Sequence, residues 1–226
     1  MLAAAARSAA IISRNASTQP APFGEAGCGG EVGGSPGARV KPLTDMSSTP
    51  GPFTKTIALV GLSGVGKSSV GRRLAAALGM PFRDADSEVE AAAGRPIPEI
   101  FAQYGESAFR DGERRVIARL LAEPPHVLAT GGGAFMNPET RRLIKEKAIS
   151  IWLKADIEVL ARRVSRKDSR PLLAGKDPLE TLAAQASDRY PVYAEADITV
   201  ETGDTPHQTA VEAILKALAE RAEAAR

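Results

Sequence analysis

The chain has 226 residues, 43% hydrophobic and 25% charged, a globular balance that excludes a wholly disordered, fibrous or coiled-coil molecule. Its 29 lysines and arginines against 27 acids leave a net charge of +2, so it carries no electrostatic footprint for duplex nucleic acid. One cysteine, Cys28, and two histidines, His126 and His207, exclude a disulfide framework and a Cys/His zinc site, and no apolar run reaches the roughly eighteen residues of a membrane helix.

Composition shifts along the chain. Residues 1–51 hold eight of the 21 glycines and almost no periodic apolar pattern. Such a stretch cannot bury enough apolar surface to offset its ordering entropy, so residues 1–52 are expected to be a disordered Ala/Gly/Pro-rich extension. Residues 53–226 then form a single domain. The opening segment carries Arg7 and Arg14 with no acid before Glu25, a pattern shared by organellar transit peptides, low-complexity tails and untranslated leaders ahead of an internal start at Met46. The latter two readings are preferred, and with them a cytoplasmic location.

From residue 56 the pattern becomes periodic. Thr56–Val60 is a β-branched apolar run ended by Gly61, which reads as a buried parallel strand. Lys67–Leu78 follows as a helix with Val70, Leu74, Ala77 and Leu78 on one face. Further strands are expected in PFRDAD (81–86), His126–Thr130, Ile149–Lys154 and Asp197–Glu201, and a last amphipathic helix around His207–Glu223. Strands alternating with helices predict an α/β fold with a mostly parallel, doubly covered sheet.

The strongest chemical signal lies where the first strand meets the first helix. Gly61-Leu62-Ser63-Gly64-Val65-Gly66-Lys67-Ser68 satisfies G-x-x-x-x-G-K-[ST] in full, in the strand–helix context such a phosphate-binding loop requires. Its N–H groups and the helix N-terminus supply positive potential, Lys67 can reach the β- and γ-phosphates, and the Ser68 hydroxyl can ligate Mg²⁺. An ordinary Gly-rich strand–helix turn is the competing reading, and the complete motif outweighs it.

Asp84 and Asp86 close the second strand and are expected to take different tasks: metal and phosphates for one, an acceptor hydroxyl for the other. A plain cap for a helix over Ser87–Ala93 is the structural alternative for Asp86. Arg110 ends the helical run EIFAQYGESAFR, where an arginine is more often solvated than functional. Gly131-Gly132-Gly133 follows the strand 126–130 directly, at the edge where open α/β sheets bind ligands; a flexible connector is the alternative. The basic segment Arg162–Leu173 suits either a solvated surface or a lid that brings cations to a transferring phosphoryl group. Asp188-Arg189-Tyr190-Pro191-Val192-Tyr193 is expected to end a helix at Pro191, and Trp152 is expected in the core.

GLSGVGKSS, DAD, IFAQYGESAFR, GGGA, SRPLL and DRYPVY occur together in the order, and at the approximate spacing, of the shikimate kinases, and the chain resembles that family from about Thr56 to its C-terminus. The resemblance implies a P-loop NTPase three-layer fold like that of the nucleoside monophosphate kinases: a five-stranded parallel sheet with helices on both faces, a substrate-binding helical segment and a lid, here about residues 163–176. It implies ATP-dependent phosphorylation of the 3-hydroxyl of shikimate, with Mg²⁺. By motif, Gly64, Val65, Gly66, Lys67, Ser68 and Ser69 would hold the nucleotide phosphates, with Ser68 on the metal and Asp84 on its water shell. Asp86 would bind the acceptor hydroxyl and take its proton, beside Lys67 and Arg170 as the other catalytic groups. Arg110 and Arg189 would hold the shikimate carboxylate, and the backbone of Gly131, Gly132 and Gly133 its hydroxyls. Arg163 and Arg170 would be lid cations on ATP. One departure stands out: some members carry Arg or Gln against adenine in the loop after the last strand, where this chain reads Gly203-Asp204-Thr205-Pro206. Partners are therefore expected to be ATP and shikimate, with no nucleic acid or membrane, for a monomeric enzyme. Two other readings are a different small-molecule P-loop kinase, such as a gluconate kinase, and a non-catalytic nucleotide switch. The acceptor-side groups Arg110, GGG and Arg189 argue against the first, and the lack of a switch or guanine-reading motif against the second.

Overall fold

The computed structural model describes residues 54–164 and 177–224. The extension expected over 1–52, most of the expected lid and Arg170 lie outside the described residues.

Five strands form one sheet: β1 (Thr56–Val60), β2 (Phe82–Asp84), β3 (Val127–Ala129), β4 (Ala148–Lys154) and β5 (Ile198–Glu201), in the order β2-β3-β1-β4-β5 with every pair parallel. Each predicted strand is present. The β-branched run Ile57–Val60 lies at the sheet centre, wholly inaccessible to solvent, as a strand covered on both faces must be. Helices α1 (Lys67–Leu78) and α7 (His207–Ala224) pack together on one side of the sheet. On the right-handed crossover rule, α3 (Ile97–Leu120) and α4 (Pro138–Lys147) return over the opposite face, where they pack on each other. Helices α5 (Ile157–Val164) and α6 (Pro178–Tyr193) connect β4 to β5, and α2 (Ala85–Ala93) packs on α3.

Three local expectations are corrected. Helix α2 starts at Ala85, so Asp84 is its cap and accepts from Asp86 N–H at 3.1 Å; Asp86 sits in the first turn and is neither a strand residue nor the cap. The run EIFAQYGESAFR is not one helix, because Gly105 at φ 79°, ψ 174° breaks α3 in a region only glycine enters readily. Phe101 and Phe109 pack across that break, with ring centroids 4.7 Å apart. Finally, Pro191 lies inside α6, two residues before its end. Proline there removes one N–H near the terminus, and the Ala194 N–H to Tyr190 carbonyl bond closes the last turn regardless.

Candidate active site

The phosphate-binding loop connects the central strand β1 to α1. Gly64 and Gly66 take positive φ of 87° and 96°, and Gly66 caps α1. The Lys67 ammonium arches back over the loop and donates to the carbonyls of Gly61 at 2.7 Å and Leu62 at 3.0 Å, so the charge is held across the mouth of the loop. Ser68 and Ser69 begin the helix half-buried, whereas the Val65 side chain is buried in the core, so only its backbone can meet a phosphate.

Beside this loop opens a cavity of about 420 Å³, lined by Ser63, Asp86, Arg110, Glu113, Gly131–Gly133 and Arg189, with Ile97 and Phe101 from the first half of α3. The break at Gly105 lets one segment serve two walls: Ile97 and Phe101 give apolar lining, while Phe109, Arg110 and Glu113 come from the second half. Asp86, Arg110, Gly131–Gly133 and Arg189, widely separated in sequence, thus meet in one space as expected.

Glu113 is a residue the sequence reading missed. It is 2% exposed, and its Oε2 accepts from Arg110 Nη1 at 2.8 Å. Glu106, one turn before Arg110, accepts from the same guanidinium at 3.1 Å. Burial disfavours the Arg110 charge, but the two glutamates outweigh it and hold its pKa above the ordinary value. Burial also pushes the Glu113 carboxyl up, against the pull of Arg110, and the nearby Asp86 charge adds to the rise. Its other oxygen, Oε1, is buried without a hydrogen-bond partner. A signal existed: Glu106, Arg110 and Glu113 are spaced i, i+4 and i+7, the spacing of neighbours on one helix face.

The three glycines serve packing space, not flexibility. A Cβ on Gly131 would lie 2.1 Å from Glu113 Oε1 and 2.9 Å from Asp86 Oδ1; on Gly132, 3.1 Å from Ser63 Oγ; on Gly133, 2.7 Å from the Arg110 guanidinium. The turn itself is hydrogen-bonded, with Ala134 N–H on the Gly131 carbonyl and Met136 N–H on that of Gly133. The Gly132 carbonyl accepts from Arg189 Nη1 at 3.1 Å and from the Tyr193 hydroxyl, which commits that oxygen. The Gly132 N–H has no acceptor among the described residues.

The rest of DRYPVY anchors Arg189. The Tyr190 hydroxyl donates to the Ala155 carbonyl at 3.1 Å, and Trp152 packs edge-on against Tyr190, ring centroids 5.0 Å apart. Trp152 is a core residue, as expected, and burial raises the pKa of both tyrosines.

Arg163, expected as a lid cation, is the first of the expected lid residues and is helical. It lies in α5 and donates to the Gly203 carbonyl at 2.8 Å. There it lines a small recess with Val65, Thr202, Thr205 and His207, against the phosphate-binding loop. His207 was also missed; its ring lies 3.0 Å from where a Gly66 Cβ would be, and burial with the Arg73 and Arg163 charges pushes its pKa below the ordinary histidine value.

A phosphate-binding loop on the central strand, facing a separate cavity with a carboxylate and two arginines, defines a small-molecule phosphotransferase of the P-loop class. The shikimate kinase family model matches residues 63–219. The shikimate kinase of Caulobacter vibrioides is 77% identical over 164 residues, covering 73% of this chain and 82% of that protein. The solved Acinetobacter baumannii shikimate kinase in complex with shikimate superposes with a TM-score of 0.72 at 37% identity, covering 74% of this chain and 94% of the other. A gluconokinase from Sinorhizobium meliloti is less similar, with a TM-score of 0.53 at 25% identity over 76% of this chain and 95% of its own. The chain belongs to the shikimate kinase family, and the fold expected from the resemblance is the one observed.

Proposed function

We propose that this kinase transfers the γ-phosphoryl group of ATP to the 3-hydroxyl of shikimate, with the cavity between α2, α3 and α6 as the acceptor site. The observation that carries the reading is the pairing of two guanidiniums, Arg110 and Arg189, with one carboxylate, Asp86, around a cavity that adjoins the phosphate-binding loop. A small carboxylate with several hydroxyls needs planar cations at one end and a hydrogen-bond acceptor at the other. Arg110 is held for this by Glu106 and Glu113, and Arg189 by the Gly132 carbonyl.

Phosphoryl transfer passes through a loose, charge-dispersed transition state, so positioning and charge neutralisation dominate. The acceptor oxygen attacks the γ-phosphorus, the bond to the bridging β–γ oxygen breaks, and the hydroxyl proton passes to the Asp86 carboxylate. Lys67 offsets charge on the phosphates from the loop side, with Arg170 as the proposed lid cation. Among the described residues no group of three His, Cys, Asp or Glu could hold a metal alone. Ser68 and Asp84 fit a Mg²⁺ ion that draws its remaining ligands from the nucleotide and water. When bound, that ion supplies charge neutralisation on the phosphates. Among the described residues no helix is long and apolar enough to cross a membrane, and the one exposed large hydrophobic is Leu179.

The test is a split of Michaelis constants. Each charge-assisted contact is worth about 1.5–3 kcal/mol, so Arg110→Ala and Arg189→Ala should each raise KM for shikimate about ten- to a hundredfold and leave KM for ATP nearly unchanged. A variant that impaired ATP and spared shikimate would overturn the acceptor-site assignment.

A further inference from the structure

The inward side of α6 carries Leu182, Gln185, Ala186, Arg189 and Tyr193, one stripe at helical spacing. Leu182, Ala186 and Tyr193 are buried and fix the rotation of the helix. The two polar members, Gln185 and Arg189, both line the acceptor cavity. Arg189 has a protein partner in the Gly132 carbonyl. Gln185 is half-buried, and its amide has no hydrogen-bond partner among the described residues. A primary amide offers two donors and two lone pairs, and such groups on an inward face are ordinarily satisfied. Packing alone would be served better by leucine.

We propose that Gln185 is a specificity-determining residue of the acceptor site, donating through its Nε2–H to the substrate carboxylate beside Arg110 and Arg189. Residues four apart on a helix have Cβ atoms about 5–6 Å apart, close enough for Gln185 and Arg189 to converge on one planar anion. Of the other lining residues, Ile97 and Phe101 are apolar, and Glu90 Oε1 accepts from the Ile97 N–H at 2.8 Å. A neutral donor adds a directed contact without a third positive charge, so it favours a carboxylate in one orientation over any small anion. This inference rests on the reading that Arg110 and Arg189 hold the carboxylate.

Two substitutions test it in the full-length enzyme. Gln185→Leu keeps the size and removes the donors; Gln185→Glu keeps the shape and places a negative charge against the substrate's own. Gln185→Leu should raise KM for shikimate about tenfold, the loss of one hydrogen bond to a charged group, and Gln185→Glu clearly more. KM for ATP and melting temperature should not change in either. With a carboxamide analogue of shikimate as acceptor, the two variants should become equally impaired, since no charge remains to be repelled. The proposal is overturned if Gln185→Glu leaves KM for shikimate within about twofold of wild type, too small for a lost hydrogen bond. It is overturned equally if the extra penalty of glutamate persists with the carboxamide. Arg110→Ala run in parallel separates the two claims: if it raises KM for shikimate while Gln185→Glu is silent, only the role of Gln185 falls, and if it too is silent, the site reading falls with it.

Discussion

Glu113 shows how one residue can serve binding at the expense of stability. Its carboxyl is pushed up by burial and by Asp86, more than Arg110 pulls it down. A carboxyl whose folded pKa lies above the unfolded value gives full stability below the unfolded value and loses it as pH rises through the folded one. Glu113→Gln, which cannot ionise, should therefore melt like wild type at pH 4 and become the more stable protein as pH rises, while its KM for shikimate increases because Arg110 loses its charged anchor. Thermal melts across pH together with Michaelis constants check both halves; a glutamine variant less stable than wild type at pH 7 would contradict the first. Lys67 has a simpler expectation. Its ammonium donates to two backbone carbonyls of the loop, and Lys67→Ala should fold normally and lose phosphoryl transfer, as circular dichroism and an ADP-release assay would show. The glycine turn makes a third case: Gly133→Ala sets a methyl group 2.7 Å from the Arg110 guanidinium and should raise KM for shikimate without touching KM for ATP.

At the scale of the element, the break in α3 decides the shape of the acceptor cavity. Gly105→Ala forces a side chain into a conformation costing about 1–3 kcal/mol, so the urea midpoint should fall and KM for shikimate should rise as Ile97 and Phe101 shift. An alanine variant with both quantities unchanged would show that the cavity does not depend on the break. That break also marks where the sequence stopped being legible. The strands could be read because each is a short apolar run, and a run such as TIALV has one stable use in a sheet covered on both faces. The phosphate-binding loop was legible because a loop that wraps a phosphate requires those glycines and that lysine at fixed spacing. The cap at Asp84 and the helix continuing past Pro191 were not, because each is settled by one backbone hydrogen bond within a residue or two of the alternative. Arg110 looked like any solvated helical arginine; only the fold supplies Gly133 beneath it and the buried carboxylate of Glu113 beside it. Gln185 offered no signal at all until α6 had a rotation.

For the whole molecule, we propose a catalytic domain that begins at about residue 53. The described core is closed, with Leu179 as its one exposed large hydrophobic side chain. Removing residues 1–50 should therefore leave turnover and melting temperature nearly unchanged, and a large loss of stability would show that this segment packs on the domain. The claim that matters most concerns the acceptor. The phosphate-binding loop is common to many kinases, and the gluconokinase of Sinorhizobium meliloti shares the fold. What singles out a rigid hydroxylated carboxylate is the cavity, whose lining brings together Asp86, Arg110 and Arg189. The most direct measurement is ADP release by the full chain at saturating ATP and Mg²⁺, with shikimate, gluconate and a nucleoside monophosphate offered in turn. The account predicts sustained turnover with shikimate and only background ADP release with the other two; faster turnover with gluconate or the nucleotide would contradict it.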